Sequence, residues 1–259
     1  MQSIDLLNSL AGFVVGALVG MTGVGGGSLM TPILILLFGV HPAAAVGTDL
    51  LYAAATKTAG TAVHGWTRTV DWRMVGRLAA GSMPSTVATL FVLSRLDLTG
   101  AASRALITTV LGCALFASAG VLVFRQQIVG FYARHVGELN PGQTRWLTVA
   151  TGAALGILVS ISSVGAGALG ATALVLLYPR ASIVRIVGSD IAHAVPLTLL
   201  AGLGHWLMGS IDGHLLGALL AGSIPGIVLG SYASTRIPDI ALRLTLAATL
   251  MLAGAKLVF

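Results

Sequence analysis

The sequence predicts an all-α integral membrane protein made of two inverted repeats, each a glycine-broken re-entrant helical hairpin followed by three transmembrane helices. Three observations carry this expectation: a composition that water would not tolerate, a series of long apolar stretches, and an internal duplication held in one register.

Of the 259 residues, 56% are hydrophobic and only 8% are charged. A soluble domain carries about 25% charged residues, so this surface belongs in a bilayer. Apolar stretches fall at 8–22, 27–39, 43–63, 74–94, 102–124, 145–163, 167–178, 183–205, 213–235 and 240–258. A crossing helix needs about 20 residues at 1.5 Å rise each. Six stretches meet that length, whereas those around 8–39 and 145–178 are broken in the middle by glycines.

The two breaks are copies of each other. The run from Gly16 to Leu29 aligns with the run from Gly156 to Leu169, with seven of fourteen positions identical. After a one-residue insertion, Val46-Gly-Thr-Asp-Leu50 pairs with Val187-Gly-Ser-Asp-Ile191, and Ala80-Gly-Ser-Met-Pro84 with Ala221-Gly-Ser-Ile-Pro225. His64 and Asp71 pair with His205 and Asp212, and every one of these lies 141 residues from its mate (190 − 49, 205 − 64, 225 − 84). The chain therefore divides into a first repeat at 1–124, a polar inter-repeat linker at 125–144 and a second repeat at 145–259.

The net charge of +6 arises from 14 Lys and Arg against 8 Asp and Glu, spread singly along short loops. No basic run or aromatic platform accompanies it, which argues against nucleic acid as a partner; the lipid bilayer accounts for the bias through loop topology. If each broken segment crossed once, the loop cations would divide almost evenly. If each is a hairpin, Arg68, Arg73, Arg77, Arg125, Arg134, Arg145, Arg180, Arg185, Arg236 and Arg243 share one side, and Arg95, Arg104 and Lys256 the other. Ten against three fits a cytoplasmic excess of basic residues, with three full crossings per repeat and both termini outside a bacterial inner membrane. The start of the chain shows no removable leader, and the lone Cys113 allows no internal disulfide. No cofactor motif and no cluster with metal-ligand spacing is present in the sequence.

Small residues recur every fourth position at Gly12, Gly16 and Gly20 and at Gly222, Gly226 and Gly230, a spacing that lets helix backbones approach closely in lipid. These faces suit packing within one chain as well as a homo-oligomer. Pro84 and Pro225 are expected to kink their spans. Trp66, Trp72, Trp146 and Trp206 lie near span ends, as an interfacial belt does. His64, His205, Asp71 and Asp212 read as capping groups in interfacial loops.

Irregular backbone at membrane depth is tolerated only where protein buries it or water lines it, and matched breaks in two repeats point to a binding site. The first break offers Thr22, Gly23, Gly25, Gly26, Gly27 and Ser28; the second offers Ser162, Ser163, Gly165, Ala166 and Gly167. Each precedes a short helix whose N-terminus presents unpaired N–H groups and partial positive charge, so together they would cradle one small anion. The competing reading is that the glycines only permit tight hairpin packing. Asp49 and Asp190 are ionisable groups well inside their spans, suited to coupling-ion binding or proton transfer, or else to accepting N–H bonds that hold the neighbouring hairpin. Lys57 lies two turns past Asp49, with Tyr52 between them. His193 occupies the position of Tyr52 in the second repeat, and these residues complete the coupling and gating candidates. An intramembrane enzyme using Ser162 or Ser163 with His193, and a non-transporting assembly factor, are the rival readings; the duplication of both breaks and the short loops weigh against them.

The run Gly23-Val-Gly-Gly-Gly-Ser-Leu-Met-Thr-Pro32, followed by Ala45-Val-Gly-Thr-Asp-Leu50, resembles the sulfite exporter TauE/SafE family of membrane transporters. Gly165-Ala-Gly167 and Val187-Gly-Ser-Asp190 fit that family's second half, so the resemblance covers nearly the whole chain. It implies a transporter of a small sulfur-containing anion (sulfite, sulfoacetate or another organosulfonate) and leaves the choice of anion and the direction open. The sequence contains no ATP-binding element, so a secondary transporter working by alternating access on a proton or sodium gradient is expected. Ala166 and Ala168 stand where the first half has Gly26 and Ser28, a departure that would loosen the second cradle.

Overall fold

The computed structural model describes residues 2–22, 27–66, 69–135, 139–234 and 239–258, with the backbone alone at 2–5, 19, 20, 22, 27, 28, 59, 60, 62–66, 133, 231–234 and 239–243. The described residues form helices without strands: α1 (Gln2–Thr22), α2 (Gly27–Leu36), α3 (Pro42–Trp66), α4 (Trp72–Leu93), α5 (Ala101–His135), α6 (Pro141–Ser162), α7 (Ala168–Leu177), α8 (Ile183–Leu207), α9 (Gly213–Ser234) and α10 (Asp239–Val258). Lengths repeat between the halves: α1 and α6 have 21 and 22 residues, α2 and α7 have 10 each, α3 and α8 have 25 each, and α4 and α9 have 22 each.

Helix starts follow local chemistry. The Asp71 carboxylate accepts the N–H groups of Arg73 and Met74 at 3.0 and 3.3 Å, satisfying donors that the first turn of α4 leaves open. Its mate Asp212 accepts from His214 and Leu215 at 3.0 Å each and starts α9 in the same way. Pro141 at the start of α6 needs no N–H partner, and Gln143 reaches back to the N–H of Asn140 at 3.1 Å.

Two expectations change. The polar stretch expected to link the halves from 125 to 144 is helical as far as His135, because 125–135 contains no proline and only one glycine, and Arg134 and His135 favour the negative C-terminal end of α5. Arg125 is therefore a helical residue rather than a loop cation. His205, expected in an interfacial loop, lies buried in the last turn of α8, where Nε2 pairs with the Ser160 carbonyl at 2.9 Å. His64 has its side chain outside the described residues.

The helices pair between halves. A methyl group at Gly12 would overlap the Leu219 carbonyl, and one at Gly16 the backbone of Ser223; conversely, Gly222, Gly226 and Gly230 lie against the carbonyls of Ser9, Phe13 and Ala17. Residue numbers rise together along this contact, so α1 and α9 run parallel. The same arrangement recurs between α6 and α4: Gly152 meets Leu78, Gly156 meets Ser82, and Gly81 meets Val149. Each of these is the contact of the first set carried through the register of the duplication. By contrast α3 packs antiparallel on α8, with Leu51 against Gly202 and Gly47 against His205 and Ser210. α5 packs antiparallel on α10, with Gly112 against Val258 and Gly254 against Leu115. Trp72, Trp146 and Trp206, all near helix ends, are exposed to the surroundings.

Lipid tails are as apolar as leucine, so helices gain little by leaving them; backbone proximity through glycine supplies the attraction instead. Gly222→Leu should accordingly lower the stability of the detergent-solubilised protein by about 1–3 kcal/mol or more, read as a lower thermal midpoint. Gly217→Leu, on the same helix but with nothing within 4 Å of an added Cβ, should leave that midpoint unchanged.

Candidate functional site

The second break is set by backbone conformation. α6 ends at Ser162, and Ser163, Gly165 and Gly167 follow with φ of 59°, 125° and 136°. The two glycine values lie where L side chains are strained, which is why glycine stands at both positions. Ser162 caps the turn internally: its hydroxyl donates to the Leu158 carbonyl at 2.7 Å and accepts the Val164 N–H at 3.3 Å. Ala166 presents its carbonyl outward from the turn, and α7 begins at Ala168.

Lys57 reaches this turn from the other half. Its Nζ donates to the Ala166 carbonyl at 3.1 Å, and the side chain is buried. Lys57 is also within electrostatic range of both Asp49 and Asp190. The two aspartates, buried in matched positions, have different surroundings. Asp49 Oδ2 accepts the Thr31 N–H at 3.2 Å and the Thr31 hydroxyl at 2.5 Å, tying α3 to α2. The Ser163 hydroxyl of the second break also interacts with the Asp49 carboxylate, so the aspartate of one half faces the break of the other. In the second half, the residue corresponding to Thr31 is Ala171, which has no hydroxyl. Asp190 Oδ1 is correspondingly without a partner among the described residues, and it lies so close to Gly170 that any side chain there would strike it.

Asp190, Lys57, Arg125, Thr172, the α7 N-cap Gly167 and the first α7 residue Ala168 line one cavity of about 60 Å³. That volume holds a small cluster of water molecules. With both cations and the carboxylate ionised, the wall carries one net positive charge, and the N-terminus of α7 adds its partial positive charge. Two cations, one carboxylate and a helix N-terminus thus share one small cavity.

Tyr52 and His193 make matched contacts. The Tyr52 hydroxyl pairs with Ser223 Oγ at 2.6 Å, and His193 Nε2 with Ser82 Oγ at 2.8 Å. Tyr52 and His193 are mates in the duplication, as are Ser82 and Ser223, so one cross-half hydrogen bond occurs twice. Neither Ser162 nor Ser163 is bonded to His193.

Of the first break, Gly23, Gly25 and Gly26 lie outside the described residues. Thr22 ends α1, and Gly27 and Ser28 open α2, with their side chains outside the described ones. Sequence reasoning missed Thr31, Ser82, Ser223, Thr172 and Arg125. Ser82 and Ser223 were legible as a matched polar pair inside apolar spans, and the lack of a helix breaker after Arg125 was the signal that its helix continues.

Thr31→Val keeps the shape of the side chain and removes one charge-assisted hydrogen bond from a buried carboxylate. The variant should lose about 1.5–3 kcal/mol of stability in detergent. An unchanged thermal midpoint would show that the Thr31–Asp49 contact does not hold α2 in place.

The sulfite exporter TauE/SafE family matches residues 9–257. Over 251 residues the chain is 38% identical to probable membrane transporter protein YjnA of Bacillus subtilis (strain 168), covering 96% of this chain and 98% of that protein. A second Bacillus subtilis protein, probable membrane transporter protein YunE, is 39% identical over 70 residues, which is 27% of this chain and 26% of that protein. No solved structure matches the chain. Helices long and apolar enough to cross a bilayer, such as α6 and α8, accord with these relatives. The chain is a multi-pass membrane protein and belongs to the sulfite exporter TauE/SafE family.

Proposed function

We propose that this membrane transporter carries a small sulfur oxyanion, of the sulfite, sulfoacetate or organosulfonate type, across a bacterial inner membrane by alternating access coupled to a proton or sodium gradient. The observation that carries the reading is the seat of Lys57. A buried ammonium from one half closes on the helix start of the other, in a cavity shared with Arg125 and Asp190.

Helix directions support inverted repeats. The matched helices α3 and α8 run antiparallel, as do α5 and α10. Short turns reverse the chain from α8 to α9 and from α2 to α3, and α1 runs parallel to α9. It follows that α1 and α3 point the same way and α2 points back, making α1 and α2 a hairpin. The same steps make α6 and α7 a hairpin of opposite sense. A ten-residue helix is about 15 Å long, half the hydrocarbon thickness of about 30 Å. Both short helices then start near the midplane, and both termini lie on the side away from most arginines. Two domains, 1–124 and 145–259, follow from this reading.

In the proposed cycle the anion enters at the first turn of α7, taking N–H groups there as ligands. Lys57 turns from the Ala166 carbonyl to the anion, and the fork geometry of Arg125 suits two oxygens of one oxyanion. The carboxylate of Asp190, freed of its attraction to Lys57, takes up the coupling ion. Asp49, bound to Thr31, keeps α2 in register. The Tyr52–Ser223 and His193–Ser82 bonds serve as the two gates, one toward each side. In the first half, Thr22, Gly23, Gly25, Gly26, Gly27 and Ser28 would form the opposing wall of the passage. In the second, Ser162 and Ser163 shape the turn. The enzyme reading required Ser162 or Ser163 beside His193, and neither is bonded to it.

Proteoliposomes containing the protein should show saturable flux of sulfite, sulfoacetate or taurine that responds to an imposed proton or sodium gradient. Lys57→Met should lower that flux at least about tenfold, the equivalent of one charge-assisted contact. Full flux in a folded Lys57→Met protein would sink the assignment, and uptake indifferent to every gradient would remove the coupling step.

A further inference from the structure

A second basic cavity lies apart from the transport site. Because α4 and α6 run parallel, both begin on the same face of the molecule, with Trp72 and Pro141 as first residues. Between them is a cleft of about 340 Å³ lined by Arg73, Arg77, Arg145, Gly76, Ala80 and Val149. All three ionisable groups of its wall are guanidinium. The nearest carboxylate in sequence, Asp71, is engaged in capping α4 and pairs with Arg185 at 3.5 Å. Arg77 is held in place: its Nη1 donates to the Tyr178 hydroxyl at 3.1 Å, and that hydroxyl meets Thr148 Oγ1 at 2.9 Å. Arg73 and Arg145 are exposed at the rim. The N-terminus of α6 adds partial positive charge at the same end.

The inner part of the cleft is apolar and open. An added Cβ at Gly76 would meet nothing within 4 Å, and Ala80 and Val149 continue the floor about two helical turns inward from Arg73. Trp72 and Trp146, next in sequence to Arg73 and Arg145, are 64% and 75% exposed. Exposed indoles of this kind sit at the level of lipid headgroups. A cationic rim at headgroup depth above an apolar trough matches one molecule that is always present: a phospholipid with a negative headgroup.

We propose that the α4–α6 cleft is a binding site for an anionic phospholipid, with its phosphate between Arg73, Arg77 and Arg145 and one acyl chain over Gly76, Ala80 and Val149. The site is independent of the transported anion, since it uses none of the residues around Lys57. Its lipid bridges two helices that come from different halves.

Native mass spectrometry of the detergent-solubilised protein, titrated with phosphatidylglycerol or phosphatidylcholine, tests this. Wild type should retain one phosphatidylglycerol with at least tenfold preference over phosphatidylcholine. The double variant Arg73→Gln with Arg145→Gln should lose that preference, and Gly76→Leu should weaken retention while leaving every charge in place. Both sets of changes lie at exposed positions, and an unchanged thermal midpoint verifies folding. Inorganic phosphate at millimolar concentration should not displace the lipid. Equal retention of both lipids by wild type would overturn the proposal, as would undiminished phosphatidylglycerol binding by the arginine variant or by Gly76→Leu. Displacement by phosphate alone would reassign the cleft to a free anion.

Discussion

Backbone contact between the two halves is the constraint on which everything else in this molecule depends. The glycine face of α1 packs on α9, and the glycine face of α6 packs on α4, so each half supplies the surface that the other requires. In lipid these faces cannot be replaced by a generic apolar surface, because only small residues allow carbonyls and Cα atoms to approach so closely. A half taken alone would expose a groove to acyl chains. Interlocking also fixes how α3 crosses α8, and that crossing decides which side chains of one half reach the breaks of the other.

The site shows what duplication followed by divergence achieves. Tyr52 with Ser223 and His193 with Ser82 keep one contact in two chemical versions, a phenol in one and an imidazole in the other. The aspartates have diverged further. Thr31 secures Asp49 through two hydrogen bonds, whereas Ala171 offers Asp190 no hydroxyl, and Asp190 shares its cavity with Lys57 and Arg125. Lys57 itself has no charged counterpart, since Thr198 stands at the matching position and bonds its own helix. A symmetric scaffold thus carries an asymmetric electrostatic centre. In our account the fixed carboxylate is structural and the loosely held one is available to a coupling ion.

Much of the fold was legible because membrane helices are written in two simple codes, apolar length and small-residue spacing. The second break, the matched helices and the small-residue faces at Gly12, Gly16, Gly222 and Gly226 follow from them. The errors came where those codes are silent. Hydropathy ended the fifth span at Phe124, but a helix needs only the absence of breakers to continue, so Arg125 entered a cavity instead of a loop. His205 was read as interfacial from its place near a span end; a glycine at position 47 on the facing helix gives it room to stay buried. The candidate list around Lys57 was obtainable from sequence, but its partner carbonyl at Ala166 was not. Backbone acceptors carry no residue signature, and only the crossing of the two halves brings them into reach.

The central claim is that one oxyanion occupies the start of α7, between Lys57 and Arg125. Anomalous diffraction from crystals soaked in selenite, the heavier analogue of sulfite, locates such an anion directly. The account predicts a single selenium peak in the cavity beside Gly167, within hydrogen-bonding distance of Lys57 Nζ. A peak on any other surface, with the α7 cavity empty, would contradict it.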